Sequence, residues 1–269
     1  MKNILLPIFI TLVVILTACE EQDIVEQQVD IPVVECFLQP GVKPDTVKIS
    51  KVIPYASEEE EKVWLQELDV ELICDNNSYT LTECSEPGHY VYAGDDLIVE
   101  GGSSYTLQFT YNEKIISATT TVPIKPTSLL TSLSTYTIPT MGGGGMSEDP
   151  LEISWDIDDR YYYYISITNI EADPELAMSF MIDDDSTNMP PIESTTTPGQ
   201  DDFYNVTMRN IFYLGTHMVI LYSVTEEYAK LTEQDGSSSI SLIDPYTNIE
   251  NGYGIFSAYA CDTIYFEVQ

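Results

Sequence analysis

Two histidines and a large excess of carboxylates are the residues of this chain that could do acid–base chemistry. His89 and His217 each lie in a strand-like segment. A Ser–His–Asp site remains conceivable because its members can be far apart in sequence, but neither G-x-S-x-G nor H-E-x-x-H occurs. Glycoside hydrolysis needs only two carboxylates, and with 44 acidic residues no pair stands out. We therefore expect that the protein is not an enzyme, and a surface hydrolase is the alternative.

Calcium is the one metal for which the sequence offers suitable ligands. Its hard oxygen donors would come from two acidic runs. The candidate ligands are Asp156, Asp158, Asp183 and Asp185. Neither run has the glycine and distal glutamate of an EF-hand loop, and turn formation explains Asp158 and Asp159 equally well. We expect no other cofactor.

The first residues predict export and lipid attachment. After Lys2, the charge-free apolar segment Ile4–Leu16 spans 13 residues, and a membrane-crossing helix needs about 20. Residues 16–19, Leu-Thr-Ala-Cys, resemble the bacterial lipobox, which directs cleavage before a lipidated cysteine. We therefore interpret residues 1–18 as a lipoprotein signal peptide and Cys19 as the attachment point. The alternative is an ordinary cleaved signal followed by an accidental cysteine.

Acidic residues follow Cys19 directly and indicate where the anchored protein faces. Glu20, Glu21 and Asp23 resemble the surface-export signal of Bacteroidota lipoproteins. Residues 19–30 are also polar and aperiodic, as a solvated tether would be, and the two interpretations are compatible. We expect an outer-membrane protein that is held by lipid on Cys19 and faces the cell exterior.

Four further cysteines bear on the redox state of the exported chain. They are Cys36, Cys74, Cys84 and Cys261. An even number in an exported protein predicts two disulfides, with three pairings open, and buried free thiols are the alternative. No C-x-x-C spacing occurs, so a redox or zinc-ribbon motif is not expected.

The charge of the chain restricts its partners. The net charge is −34, and removal of the signal peptide with Lys2 lowers it to −35. Such a surface repels nucleic acid and anionic headgroups. The chain is nonetheless not expected to be disordered, because it is 43% hydrophobic and contains 19 tyrosines.

Short alternating segments separated by turn residues predict a mostly β fold. Leu68–Cys74 alternates cleanly, and Pro123 and Pro126 favour an extended linker. We predict two antiparallel β-sandwich domains of the Ig-like or fibronectin-III-like kind, over residues 31–126 and 127–269. One short helix should start after Thr225, with that residue as its cap.

Two segments of the second half carry specific expectations. Residues 171–202 hold nine acidic residues with no Lys or Arg, and their prolines break regular structure, so we predict a long solvated insertion with a short buried piece at Met178–Ile182. The four consecutive tyrosines of residues 161–164 should alternate in a strand, two facing the core and two facing outward.

Several sequence blocks resemble a known family. They are Val34–Leu38 with Pro40-Gly41, Pro87–Tyr90, Gly101–Leu107, Ala118–Pro123 and Asn248–Phe256. In this order they are similar to Bacteroidota lipoproteins of the domain-of-unknown-function 4249 family, and they span nearly the whole chain after Cys19. The resemblance implies a mostly β lipoprotein that is often encoded near TonB-dependent transporters of the starch-utilisation type. It carries over no catalytic residue. Physically, Asn248–Phe256 predicts a turn in which Gly252 and Gly254 adopt positive φ before a buried strand.

These features favour binding over catalysis. The leading hypothesis is a non-catalytic accessory lipoprotein of the outer membrane that binds a TonB-dependent transporter or its nutrient. The insertion 171–202 is the candidate contact segment, because loops carry recognition and can order on binding. A structural or adhesive envelope lipoprotein is the first alternative.

Lipid attachment is tested by replacing the predicted acceptor. Cys19→Ala should abolish labelling by a palmitate analogue and release the protein from the membrane fraction, because one thiol carries the whole anchor. Replacing Glu20, Glu21 and Asp23 by Ala is the matched control, since it should keep the label. Labelling of the Cys19→Ala protein at the level of the unaltered chain would refute the anchor.

Overall fold

The computed structural model describes residues 30–53, 62–138, 150–177, 189–207, 210–235 and 246–269. The predicted signal peptide, Cys19, Glu20, Glu21 and Asp23 lie outside these residues, as do Asp183, Asp185 and the segment Met178–Ile182. No helix within the described part is long and apolar enough to cross a membrane. The chain from Ile31 to Gln269 forms one compact unit.

Seven strands of the first half form two layers. The strands are β1 (Pro32–Leu38), β2 (Val47–Lys51), β3 (Val70–Cys74), β4 (Asn77–Glu83), β5 (His89–Val91), β6 (Ser104–Tyr111) and β7 (Lys114–Thr121). One layer has the order β1-β2-β5 and the other β4-β3-β6-β7. The end of β4 also pairs with β5, so it connects the layers at one edge. All of these pairings are antiparallel.

Strand alternation explains why these layers enclose a core. The pattern along β1 buries every second residue, among them Val34 and Leu38. Leu72 and Leu107 face them from the other layer, within one cluster of buried side chains. Because successive side chains of a strand point to opposite faces, one apolar face per layer is enough to build this core.

The second half repeats the arrangement with its own strands and one helix. They are β8 (Thr127–Thr131), β9 (Thr135–Tyr136), β10 (Leu151–Asp156), β11 (Tyr162–Asn169), β12 (Glu193–Thr195), β13 (Phe203–Val206), β14 (Gly215–Val224), α1 (Glu226–Asp235) and β15 (Tyr253–Val268). One layer has the order β8-β10-β13 and the other β12-β11-β14-β15, with β9 beside β15. A second core lies between them, where Ile153 and Trp155 join Ile165, Leu221 and Phe266.

The last strand joins the two halves and corrects the predicted domain boundary. Its first part, from Tyr253 to Ala258, runs parallel to β1, and its second part, from Tyr259 to Val268, runs antiparallel to β14. Phe256 is buried in the first core and Phe266 in the second. A boundary after residue 126 separates most of the two cores, but it wrongly gives the whole end of the chain to the second half. The 16-residue length of β15 allows it to serve both.

The block before β15 directs the chain between the halves. Asn248 brackets Phe256 by donating to its carbonyl at 2.7 Å and accepting from its N–H at 3.0 Å. The Asn251 side chain donates to Ile115 O of β7 at 2.9 Å, and Glu250 pairs with Ser117 of the same strand. These bonds fix the entry of β15 beside β1.

The two glycines of this block act differently from each other. Gly254 has φ +96, as predicted, and a Cβ there would lie 2.0 Å from Val34 O. Gly252 does not have the predicted positive φ within this block; Asn251 does, at φ +60. Gly252 is required by close approach instead, since a Cβ would meet Ile249 Cγ2 at 2.9 Å.

The acidic segment 171–202 is less irregular than predicted. It contains β12, which pairs with β11, and Gly199 exchanges two backbone hydrogen bonds with Tyr163 at 2.7 and 2.9 Å. Leu214 N donates to Glu175 O at 2.8 Å. The described ends of the segment are therefore tied to the sheet, because their backbone groups find partners there.

The predicted helix is present and starts directly after Thr225, whose carbonyl accepts from Ala229 N at 3.2 Å. α1 carries Glu226 and Glu227 in its first turn, where the positive end of the helix dipole favours carboxylates. The Thr225 hydroxyl bonds the Ser257 hydroxyl of β15 at 2.8 Å. Thr225 therefore contributes to fastening the start of α1 to the last strand.

His217 is a satisfied core residue. Its Nδ1 faces Gly215 O at 3.0 Å, and its Nε2 lies 3.4 Å from the Asn169 amide. The ring stacks on Phe266 with centroids 5.3 Å apart. Burial lowers the pKa of His217, against smaller opposite effects of the Gly215 carbonyl and the carboxylates of Glu267 and Glu171.

Gly254 offers the sharpest test of the β1–β15 pairing. Gly254→Ala should lower the free energy of unfolding by about 3–5 kcal/mol, because a Cβ must displace the Val34 carbonyl. Gly199→Ala is the control, as its Cβ would come no closer than 3.5 Å to Asp201 Oδ2, and it should change stability by less than about 0.5 kcal/mol. Equal midpoints for both variants in urea would contradict this role of Gly254.

The His217 environment predicts a dependence of stability on pH. A histidine whose pKa is lowered by folding binds its proton more readily in the unfolded chain, so its contribution is complete above pH about 6.5 and is lost as pH falls below that value. The slope from this group cannot exceed about 1.4 kcal/mol per pH unit. His217→Gln should flatten the curve of unfolding free energy between pH 7.5 and 5.5, and His89→Gln serves as the control. A slope unchanged by His217→Gln would disprove the assignment.

Candidate binding surface

The four cysteines are free thiols, and the two predicted disulfides are not present. Cys36 and Cys74 are buried, Cys84 is exposed and Cys261 is half-buried. The strand register explains why these cysteines do not pair with one another. Cys36 lies opposite Phe256, Cys74 opposite Asn77 and Cys261 opposite Tyr222. Burial is the largest factor that raises the pKa of the thiols of Cys36, Cys74 and Cys261, and a raised pKa lowers the fraction of reactive thiolate.

The first calcium candidates are occupied by separate partners. Asp156 accepts from the hydroxyls of Thr127 and Ser128. Asp158 pairs with Arg160, whose Nη2 lies 2.6 Å from Oδ2, and this guanidinium lowers the pKa of the carboxyl. Within the described residues no three His, Cys, Asp or Glu side chains gather as a metal site. Asp156 and Asp158 therefore do not build the predicted site, and Asp183 and Asp185 lie outside those residues.

The two histidines occupy different halves of the molecule. His89 lies in β5 with Nδ1 2.8 Å from Pro87 O and its ring 4.6 Å from the Trp64 ring. His217 lies in the second core. Each histidine ring thus makes contacts with its own neighbours, and the fold does not bring the two histidines together.

The tyrosine run behaves as predicted and adds a cluster on the outer face of the sheet. Tyr161 and Tyr163 are buried, while Tyr162 and Tyr164 face outward. Tyr164 stacks on Tyr222 of β14 at 4.7 Å and on Tyr228 of α1 at 5.9 Å. Burial raises the pKa of the Tyr164 hydroxyl, with a smaller effect of its hydrogen bond with Tyr228.

This tyrosine cluster fastens elements rather than offering open rings. Tyr259 of β15 packs 6.1 Å from Tyr222, and Phe37 of β1 meets Tyr228 edge-on at 6.0 Å. The faces of these rings lie against one another, and stacking of a sugar needs a free ring face. The cluster therefore attaches α1 to both halves of the sheet.

An exposed apolar surface lies on the three-stranded layer of the second half. Leu130 of β8 and Phe203 of β13 both lie opposite Ser154 of β10, so the three side chains form one row on the outer face. Leu130 is 62% exposed and Phe203 47%. We call these three residues, with Glu152, Asp156 and Asp202 around them, the Leu130 face.

Alternation along β10 dictates which side chains reach this face. Leu151, Ile153 and Trp155 are buried in the core, so the residues between and after them, Glu152, Ser154 and Asp156, point outward. Asp202 O accepts from Trp155 N at 3.0 Å, which holds the start of β13 against β10. The small Ser154 between two large side chains leaves a groove of about 340 Å³.

Carboxylates surround the groove and lack cationic partners. Glu152, Asp156 and Asp202 are exposed, and no lysine, arginine or histidine is among the described residues that line the groove. Within the part of the chain that the structure describes, Glu152 and Asp202 form no ion pair. The face thus combines exposed apolar area with uncompensated negative charge.

Sequence reasoning did not single out Leu130 or Phe203. The available signal is the pair Leu129-Leu130 within β8, since adjacent residues of a strand cannot both face the core. Leu129 is buried and Leu130 is not. The orientation of Phe203 depends on its pairing with β10, which the sequence alone does not fix.

Comparisons with known proteins concern the family and the general fold. A two-domain fibronectin type III segment from chicken tenascin matches with 12% identity over 88% of this chain and 99% of that chain, at a TM-score of 0.27. A likeness at this TM-score carries no weight here, and the strand pairing alone defines the fold. No curated protein matches the chain. The model of the family described as "Domain of unknown function (DUF4249)" matches residues 20–264. The chain therefore belongs to the DUF4249 family.

Proposed function

We propose that this protein is a non-catalytic accessory lipoprotein of the outer membrane that binds a TonB-dependent transporter of the starch-utilisation type. The lipobox-like residues 16–19 and the acidic residues after Cys19 support the location. The transporter association comes from the family resemblance. Binding rather than catalysis is proposed because the residues suited to catalysis are few and are engaged in local contacts.

The observation that carries the binding function is the Leu130 face. Exposed apolar residues scattered singly are normal on protein surfaces, whereas adjacent ones around a groove mark interaction sites. Leu130 and Phe203 flank one groove because both are paired with Ser154, and the β8–β10 register shifts only beyond that row, between Ser154 and Asp156. A protein partner suits this face, because the exposed aliphatic side chain of Leu130 lies in one row with the exposed Phe203 ring.

The scaffold behind the face is proposed to be two sandwiches of the fibronectin type III kind. Each half has a three-stranded layer and a four-stranded layer around its own core, in the same chain order. Such a scaffold presents its outer faces and loops without rearrangement. Deleting the segment 171–202 would not test binding alone, because the deletion would also remove β12 from the sheet.

Co-purification from native membranes tests the proposal. The unaltered protein should recover a TonB-dependent transporter, identified by mass spectrometry after extraction in mild detergent. Leu130→Ser with Phe203→Ser should reduce that recovery at least about tenfold, since a few central residues carry most of the binding energy of an interface. Both residues are exposed, so stability should change by less than about 0.5 kcal/mol per site.

A control on the same molecule separates this face from general stickiness. Ile170 and Ile192 are exposed to a similar degree, at 46% and 53%, and they directly follow β11 and precede β12 of the other layer. Ile170→Ser with Ile192→Ser should leave recovery of the transporter unchanged. Purification of the unaltered protein without any transporter would refute the function and favour a structural or adhesive envelope role.

A further inference from the structure

Resting on the proposed function, we infer that the Leu130 face recognises a cationic segment of its protein partner that carries a large apolar side chain between lysines or arginines. The inference names the chemistry of the partner, which neither the family nor the proposed transporter association specifies. It rests on the shape of the groove, the charge around it and the charge of the whole chain.

The groove sets the apolar part of the partner. Ser154 is the small central residue, and Leu130 and Phe203 stand on either side of it. An apolar side chain placed over Ser154 would cover area on both neighbours at once. A wholly polar segment would leave both exposed side chains only partly covered.

The surrounding charge sets the cationic part. Glu152 precedes Ser154 in β10 by two residues and Asp156 follows it by two, so one carboxylate lies on each side along the strand. Asp202 adds a third, next to Phe203. A partner without positive charge would have to desolvate these groups uncompensated, which costs free energy.

The same charge argues against a second copy of this chain as the occupant. Face-to-face association would place two acidic rims against each other, and like charges in contact disfavour association. The chain as a whole has 44 acidic and 10 basic residues, so no strongly cationic surface is available from another copy. A different protein can supply the positive charge that a second copy of this chain lacks.

Binding of a short peptide to the full chain in mild detergent tests this inference. The probe is a fluorescein-labelled peptide of alternating lysine and phenylalanine, and its comparison is the same length of alternating lysine and serine. Fluorescence anisotropy gives the dissociation constant at low and at physiological salt. The phenylalanine peptide should bind at least about tenfold more tightly, and Leu130→Ser with Phe203→Ser should remove that difference.

A pair of charge variants separates the face from the general field of an acidic protein. Glu152→Gln with Asp202→Asn should weaken binding about fivefold at low salt and flatten its salt dependence. Asp69→Asn with Glu113→Gln changes the net charge equally on exposed positions of the first half, and it should weaken binding less than about twofold. Equal weakening by both pairs would overturn the inference, because the peptide would then report only overall charge.

Three further outcomes test the occupant of the face and separate the inference from the proposed function. Sedimentation velocity should show a monomer at all concentrations, and a dimer that disappears in Leu130→Ser would overturn the inference in favour of a second copy. Specific peptide binding without transporter recovery would support the inference and refute the proposed function. Transporter recovery without face-specific peptide binding would overturn the inference and leave the proposed function to another surface.

Discussion

β15 is hydrogen-bonded along both of its edges, and this double pairing holds the two halves of the molecule together. The strand pairs parallel with β1 through its first six residues and antiparallel with β14 through its last ten. Phe256 is buried in the first core and Phe266 in the second, so one continuous strand contributes side chains to both cores. Parallel pairing requires a long connection between its strands, and here nearly the whole chain separates β1 from β15.

This double pairing leaves the remaining surfaces with distinct tasks. In the second half, α1 packs on the outer face of the four-stranded layer, through the tyrosine cluster and the bond between Thr225 and Ser257. The outer face of the three-stranded layer carries no such cover from a described element, and it holds the Leu130 face. Among the described elements, a helix packs on the outer face of the four-stranded layer and none packs on the outer face of the three-stranded layer.

The sequence predicted much of this fold, and the failures have physical causes. Strict alternation in segments such as Leu68–Cys74 predicted strands, and the same rule placed the four tyrosines correctly. The boundary near Pro126 failed because parallel pairing between distant strands leaves no local signal. The disulfides failed because register, which sequence does not give, decides which cysteines face each other. Leu130 was missed because the pair Leu129-Leu130 shows that one of the two leucines faces outward but does not show which one.

We infer that β15 makes residues 31–269 one cooperative unit rather than two independently folding domains. Differential scanning calorimetry of the purified chain tests it most directly, because two-state unfolding makes the calorimetric enthalpy equal the van't Hoff enthalpy. We predict a single transition with a ratio of these enthalpies of about 1. Two resolved transitions, or a calorimetric enthalpy about twice the van't Hoff value, would contradict the claim.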